Sequence, residues 1–546
     1  MKKKFFITTP IYYVNAKPHI GHAYTTVAAD ILARFHRLQG NDVFLLTGTD
    51  EHGLKIQREA EKSGKKPQEF VEEISAEFRD LWEKLGIQYD HFIRTADPSH
   101  KKAVQKVLRT LYEKKAVYKG EYEGLYCVAC EQFRQENELI NGRCPDHDII
   151  LEKVKEECYL LKLSDVQSKL IEKIESDEFA ISPERYKKEI LSFLKSQPLK
   201  DISISRKNVS WGIPLPFDSE HTTYVWIDAF LNYLTGIGWD GSVNFFQNPT
   251  FPLPERSSRN SSRLDFSNFF FWPPDIQLIG KDILRVHATI WPAILIHLGI
   301  PLPKMLYVHG HIRSGGRKMS KTLRNVISIE EMLEKFGRDG TRYLLMSAGT
   351  FGEDVDITME RMIEKYNADL ANGLSNLIYR TLSILEKNGE EKVPKTNIVK
   401  AGEIFRVNRT LYSGLAVDME DYFKISEDVY KNINYSGYLK LNKILELVMI
   451  ATKKLNGLIE ETKLWELKKN NLELYNYFSY ILLESFRLLA WLLLPLIPGT
   501  SENIFSQLGI DVNKEKGKGY KEGIRWGGLI PGTKLGEKKI IFKSKK

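Results

Sequence analysis

The strongest constraint on this chain is a strand-to-helix step within its first 34 residues. Phe5-Phe6-Ile7-Thr8-Thr9 is a short apolar and β-branched run that stops at Pro10, the pattern of a buried strand. A turn-rich stretch, Asn15-Ala16-Lys17-Pro18, leads into His19-Ile20-Gly21-His22, and from Tyr24 to Arg34 the apolar residues fall near helical spacing. This is the opening β–α step of a nucleotide-binding sheet. There the helix N-terminus offers unpaired N–H groups and the positive end of its dipole to phosphate. Gly21 has no Cβ to obstruct a flat purine. The two imidazoles can also be plain helix caps, and four residues alone do not decide between the readings.

A second motif lies far downstream. Gly315-Gly316-Arg317-Lys318-Met319-Ser320-Lys321-Thr322 is a glycine-hinged basic loop whose lysines suit the negative charge that builds on an α-phosphate and a leaving pyrophosphate. Alone it reads as a solvated turn; paired with the histidines, it describes one site for the triphosphate of ATP. No protein nucleophile is required if the attacking group is already a carboxylate. Between the two motifs, the apolar strand Ile276-Gln277-Leu278-Ile279 runs into Gly280-Lys281-Asp282. That is a strand C-terminus, where α/β sheets bind ligands. Asp282 can accept from ribose hydroxyls, and Gly280 again permits close backbone approach.

A chain of 546 residues exceeds what one core organises, so two to four domains are expected. The net charge of +8 is compatible with a polyanionic partner without requiring one. No N-terminal apolar region is long enough for a signal peptide. The most apolar run, Leu488 to Pro498, is too short to span a bilayer and is stopped by two prolines, so it reads as a buried helix. A cytoplasmic protein without membrane attachment is expected. Cys127-Val128-Ala129-Cys130 and Cys144-Pro145-Asp146-His147 share one spacing and together offer Cys₃His coordination, which suits a single structural zinc in a closed site. Cys158 is the alternative fourth ligand, although Glu156-Glu157-Cys158-Tyr159-Leu160 reads as the start of a strand.

Further strings fall in order between these motifs: Thr9-Pro10-Ile11-Tyr12-Tyr13-Val14-Asn15, Thr47-Gly48-Thr49-Asp50-Glu51-His52-Gly53, Gly124-Leu125-Tyr126-Cys127, and Tyr224-Val225-Trp226-Ile227-Asp228-Ala229. With them the chain resembles the class I aminoacyl-tRNA synthetases, and among these the methionyl-tRNA synthetases of bacterial type with a single zinc knuckle. The resemblance implies an α/β protein. Its Rossmann-like parallel-sheet catalytic domain lies in two halves, 1–118 and 206–325, split by a connective insertion with the zinc knuckle, 119–205. A stem-contact linker region, 326–365, an α-helical bundle that binds the anticodon, 366–510, and a C-terminal tail, 511–546, follow. Residues 238–272 are expected as a surface insertion, and Lys539-Ile540-Ile541-Phe542 as a strand docked on the core.

The same resemblance implies that methionine is activated with ATP and passed to tRNA(Met), initiator and elongator alike. Catalysis falls to His19, His22, Lys318 and Lys321, and Gly21, Gly280 and Asp282 join them at ATP, which Mg²⁺ accompanies. Methionine is placed against Ile11, Tyr13, Trp226, Ala229, Tyr233, Ile283 and His287. Aromatic walls favour a thioether, and either the Tyr233 hydroxyl or His287 can hydrogen-bond the sulfur. Asp50 would hold the substrate ammonium; its alternative is to cap the helix after Gly53. At the anticodon the resemblance places Asn376 and Arg380, four apart on one helix face, and Trp465. That indole can stack on an unpaired base or simply pack. A monomer is expected. A nucleotidylyltransferase predicts a compact chain without the zinc insertion or the bundle. Other class I synthetases, for branched amino acids, would carry a larger insertion than 119–205. A non-enzymatic zinc and nucleic-acid-binding protein leaves Asp50, Gly280-Lys281-Asp282 and the lysine loop without a purpose.

Overall fold

The computed structural model describes residues 2–127, 132–134, 139–144, 149–207, 209–242, 270–318, 327–397 and 439–546. Among these residues the main sheet has six strands: β1 (Lys4–Tyr13), β2 (Asp42–Asp50), β3 (His91–Arg94), β4 (Ala180–Ser182), β5 (Ile276–Gly280) and β6 (Met305–His309). Their spatial order is β3-β2-β1-β5-β6-β4, and every pair is parallel. A parallel sheet is buried on both faces, which is why β1 reads as an unbroken apolar run. Phe5 and Ile7 enter one apolar core while Phe6 enters the other, as two-residue alternation requires. The chain steps outward from β1 to β2 and β3 on one side, and from β5 to β6 on the other. The switch point therefore lies between β1 and β5, and their C-terminal ends open the ligand crevice.

β1 does not stop at Pro10. It continues to Tyr13 through a register shift between Thr8 and Ile11 against β2. A bulge accommodates the missing proline N–H and lets Ile11 and Tyr13 resume pairing with Gly48 and Asp50. The helices used below are α1 (Ile20–Leu38), α2 (Val225–Thr235), α3 (Leu284–Leu298), α4 (Ile329–Ser347), α5 (Asn376–Lys387), α6 (Leu441–Thr462), α7 (Leu464–Asn470) and α8 (Leu472–Leu493). α1 and α4 cover one face of the sheet, α2 and α3 the other. α1 begins four residues before its apolar spacing becomes readable at Tyr24, because its first turn is built by a cap rather than by packing.

Residues 119–205 hold an antiparallel sheet in which Val117–Cys127 pairs with Gln132–Arg134 and Glu152–Leu161, and the latter with Ile202–Ser203. The same stretch also supplies β4, the edge strand of the main sheet. It is therefore not a pure excursion from that sheet. Of the expected surface insertion, residues 243–269 lie outside the described residues.

The C-terminal part is helical. Residues Tyr366–Ser375 form a π-helix rather than an α-helix, and Gly373 leaves room for the Ala368 carbonyl five residues back, 2.9 Å from where a Cβ would stand. α8 carries the apolar run as a buried helix, and no helix among the described residues is long and apolar enough to cross a membrane. The final residues dock, but not as a strand. The amides of Ile541 and Phe542 donate to Ser375 Oγ at 3.1 Å each, and the Phe542 ring meets Tyr366 edge-on. A side-chain acceptor takes the place of a neighbouring strand.

Candidate active site

The crevice is walled on one side by the start of α1. His19 is the N-cap, with extended backbone, and its Nδ1 accepts from Gly21 N at 3.1 Å. Its own backbone N–H donates to His22 Nδ1 at 3.2 Å, which completes a reciprocal capping box made of two histidines. The rings stack 3.6 Å apart. A Cβ on Gly21 would stand 3.0 Å from His19 Cε1, so glycine is needed for the cap itself. Each Nδ1 is committed as an acceptor, so a neutral ring must carry its proton on Nε2. Both rings are neutral near pH 7. The surrounding protein desolvates His19 and lowers its pKa against the opposing pull of Asp282, while burial and the neighbouring His19 push His22 well down. The cap reading and the phosphate reading are thus compatible: one nitrogen holds the helix and the other presents a donor.

The other wall is the end of β5. A one-turn 3₁₀ segment, Lys281–Ile283, follows Gly280, and a Cβ there would stand 2.6 Å from Asp282 Oδ1. Gly280 therefore makes room for the carboxylate of Asp282, which is exposed to solvent. Behind it His309, at the end of β6, donates through Nδ1–H to the Gly310 carbonyl and accepts at Nε2 from the Thr25 hydroxyl of α1 at 2.7 Å. The lysine motif opens as a hairpin. Strands Ile312–Ser314 and Arg317–Lys318 pair antiparallel around Gly315 (φ +60°) and Gly316 (φ +75°), a two-residue turn of the type that needs positive φ at both positions. Lys318 sits opposite Arg313 in the ladder. Its side chain and all of Lys321 lie outside the described residues.

The methionine candidates come mainly from α2 and α3. Ile11, Trp226 and Ile283 are half-buried against a core that encloses Ala229, Phe230, Tyr233, His287 and Trp291. Tyr13 packs against the core on the other face, with Lys55 over its ring. The Tyr233 hydroxyl lies 2.9 Å from His287 Nε2, and His287 Nδ1 lies 3.0 Å from the Ile283 carbonyl. A carbonyl can only accept, so Nδ1 carries the imidazole proton and Nε2 accepts from Tyr233. Burial holds His287 neutral, with its pKa lowered to about 4. In this arrangement the Tyr233 hydroxyl proton and the His287 Nδ1 proton are both used within the protein. Phe230, between Trp226 and Tyr233 on α2, is edge-on to His287 at 4.9 Å and stacked near Trp291.

Asp50 ends β2 and is buried. It does not cap the following helix, Leu54–Lys62, whose N-cap is Gly53 at φ 115° with no side-chain bond. Two residues on, His52 Nδ1 bonds Asp228 Oδ2 at 2.7 Å, while His100 Nε2 bonds Asp228 Oδ1 at 2.9 Å. Burial alone would raise the Asp228 carboxyl, but the two imidazoles outweigh it and hold it below the usual carboxylate range. This buried clamp ties the loop after Asp50 to the helix that bears Trp226, Ala229 and Tyr233. Sequence reading missed it because its members are 48 and 128 positions apart, counting from 52 to 100 and from 100 to 228.

In the helical part Asn376 is exposed at the start of α5, and Arg380 lies one turn on. The Arg380 guanidinium pairs with Glu460 of α6 at 2.6 Å and lies 5.6 Å from the centre of the Trp465 ring. Trp465 is 38% exposed, whereas its neighbour Leu464 is fully buried, so the indole is not a core residue. In the knuckle Cys127 and Cys144 are buried in one small cluster with Leu151. Cys130 and His147 lie outside the described residues, and no set of three metal ligands is assembled among the described ones. Cys158 pairs opposite Gly120, seven residues along the ladder from Cys127, roughly 24 Å at strand rise. It cannot share a metal with that cluster.

The chain matches the family model described as tRNA synthetases class I (M) over residues 5–150 and 148–382. It is 40% identical over 545 residues to the methionine–tRNA ligase of Clostridium acetobutylicum, spanning 99% of this chain and 78% of that one. It is 39% identical to the methionine–tRNA ligase of Rickettsia conorii, spanning 99% of both. Its structure aligns with that of Mycobacterium tuberculosis methionyl-tRNA synthetase in complex with methionyl-adenylate at a TM-score of 0.85 and 31% identity, covering 99% of each chain. On the near-complete span of these matches and on the sheet that carries its motifs, the chain belongs to the methionine branch of the class I tRNA synthetases, the methionine–tRNA ligases.

Proposed function

We propose that the chain activates methionine with ATP and transfers the methionyl group to the 3′-terminal adenosine of tRNA(Met). A methionine carboxylate oxygen attacks the α-phosphorus, the bond to the bridging oxygen of the β-phosphate breaks, and pyrophosphate leaves. A terminal ribose hydroxyl then attacks the adenylate carbonyl and AMP departs. The observation that carries this reading is the two-histidine cap at the start of α1, with His19 within electrostatic reach of Asp282 at the end of β5. His19 and His22 bond phosphate oxygens, Asp282 takes the ribose, and Lys318 and Lys321 neutralise the leaving pyrophosphate, with Mg²⁺ as the counter-ion of ATP. Asp50 holds the ammonium, and the pocket around Trp226, Ala229, Tyr233, Ile283 and His287, with Ile11 and Tyr13, holds the side chain. Asn376, Arg380 and Trp465 meet the anticodon.

Pyrophosphate exchange with each of the twenty amino acids in turn tests this directly. Exchange confined to methionine and lost in Lys321→Ala is expected; exchange with another amino acid would overturn the pocket assignment. Tyr233→Phe leaves His287 Nε2 as a buried acceptor without its donor. It is expected to raise KM for methionine ~10-fold, the equivalent of ~1.4 kcal/mol, with kcat nearly unchanged. An unaltered KM would remove the pair from the pocket.

The two buried thiolate candidates Cys127 and Cys144, clustered together, fit a zinc site completed by Cys130 and His147. Zinc there would crosslink the knuckle and take no part in the chemistry. One zinc per chain by elemental analysis is expected, lost in the double variant Cys127→Ser, Cys144→Ser. A zinc-free parent protein would strike the metal from the reading.

A further inference from the structure

The hairpin that leads into the lysine motif is gripped from behind by Asp354–Asp356, within the stretch expected as a stem-contact linker. Val355–Asp356 pairs in parallel with Ile312–Ser314, and an aspartate stands at each end of the contact. Asp354 Oδ1 accepts from His311 N at 2.9 Å and from Lys281 Nζ at 2.6 Å, while its Oδ2 meets the Arg313 guanidinium at 2.5 Å. Asp356 Oδ1 accepts from Gly316 N at 2.9 Å, in the turn itself. Gly310 permits the approach, since a Cβ there would stand 2.4 Å from Asp354 N. One carboxylate thus joins three pieces: Lys281, between Gly280 and Asp282; His311, where the chain enters the hairpin; and Arg313, directly opposite Lys318.

We propose that Asp354 is a positioning residue for adenylate formation, holding the lysine-bearing hairpin in register with the turn on the adenosine side. This rests on the roles given above to Asp282 and the lysines. Burial would raise the Asp354 carboxyl, but Lys281, the His311 N–H and Arg313 outweigh it and hold it at about 2, so it is ionised throughout the working range. The ion pairs are partly exposed, with side-chain accessibilities of 24% for Asp354, 27% for Lys281 and 45% for Arg313. Exposed pairs add little to global stability. Their geometric consequence is larger, because a small misplacement of a charge that stabilises a transition state costs rate.

The test compares the parent chain with Asp354→Asn, Asp354→Glu, Arg313→Gln and the Asn/Gln double variant. For Asp354→Asn, kcat of methionine-dependent exchange is expected to fall ~10- to 100-fold with KM for methionine unchanged and the melting temperature preserved. Glutamate should restore part of the loss, and the double variant should be no worse than Asp354→Asn alone, since both remove one interaction. A kcat within ~3-fold of the parent, a fall in kcat that tracks lost thermal stability, or additive losses would overturn the proposal. Should Asp354→Asn fail to fold, Arg313→Gln decides alone. Hydrogen exchange gives a readout independent of turnover: the amides of His311 and Gly316 should lose protection in Asp354→Asn. Unchanged protection overturns the brace, whereas a parent chain without methionine-dependent exchange overturns the substrate reading instead.

Discussion

His22→Ala is expected to lower methionine-dependent pyrophosphate exchange by ~10²–10³-fold, the usual loss for one preorganised donor to developing charge. The effect on stability should be small. The ring gives up one cap bond from His19 N, worth ~1 kcal/mol, and its contacts with Tyr12 and Phe78. Because Nδ1 is held by the backbone, the edge left for the proposed phosphate contact is Nε2–H, and a side chain that returns an N–H near that point should return activity. His22→Gln is therefore expected to outperform His22→Ala by at least ~10-fold. The pKa of His22 lies well below the ordinary imidazole value, through burial and the adjacent His19, so the free enzyme should not titrate at this residue between neutral and mildly alkaline pH. Steady-state exchange across that range, together with the two variants, checks both points. Retention of activity within ~3-fold in His22→Ala would reduce the ring to a helix cap.

Arg342→Met is expected to cost ~3 kcal/mol of folding stability, the low end of the usual result of breaking a buried ion pair, because Asp30 keeps Arg34 at 2.7 Å and the Gln88 N–H. Arg342 on α4 is fully buried and pairs with Asp30 of α1 at 2.7 Å. The same guanidinium donates to the carbonyls of Leu496 (2.7 Å), Leu85 and Pro495 (3.3 Å each). It therefore fastens the sheet's first helix, the end of the helix Pro67–Leu85 and the turn after α8 at one point. Burial would raise the Asp30 carboxyl, but Arg342, Arg34 and the Gln88 N–H outweigh it and leave it below its ordinary value. A depressed carboxylate contributes stability above its unfolded pKa of ~3.9 and loses it as pH falls through the folded value. In Arg342→Met that balance tips and the Asp30 pKa rises. The destabilisation should then be largest at neutral pH and shrink as acid protonates a carboxyl left with Arg34 and the Gln88 N–H. Asp30→Asn added to Arg342→Met should recover part of the loss. Denaturant unfolding at pH 7 and pH 5 measures this; a loss below ~1 kcal/mol, or one that grows in acid, would contradict it.

What was legible in the sequence was whatever a short window encodes. The run Phe5 to Thr9 declared a buried strand, Ile276 to Ile279 declared another ending at a glycine, and Leu488 to Pro498 declared a buried helix, of which the structure keeps the part to Leu493. Each of these depends on periodicity and turn chemistry within a few residues, and each stands in the structure. The ordered strings from Thr9 to Thr322 carried the family. Even within such windows, backbone detail escaped: Pro10 produced a bulge rather than an end, and the final apolar run found Ser375 rather than a strand. Strand pairing and cap geometry depend on the partner, which the window does not contain.

The tertiary structure alone decided how distant groups divide their protons and charges. Only the fold brings His52 and His100 to the two oxygens of Asp228, spends the Tyr233 proton on His287, and sets Asp354 against Lys281 and Arg313. It also recruits Ala180–Ser182 to the edge of the main sheet from within a stretch read as an excursion. The physical reason is the same throughout. Local pattern fixes backbone conformation because its contacts are made within one turn or one strand. A hydrogen bond or ion pair between residues many elements apart exists only when the whole chain has closed around it, and its direction follows from which donors and acceptors are left there.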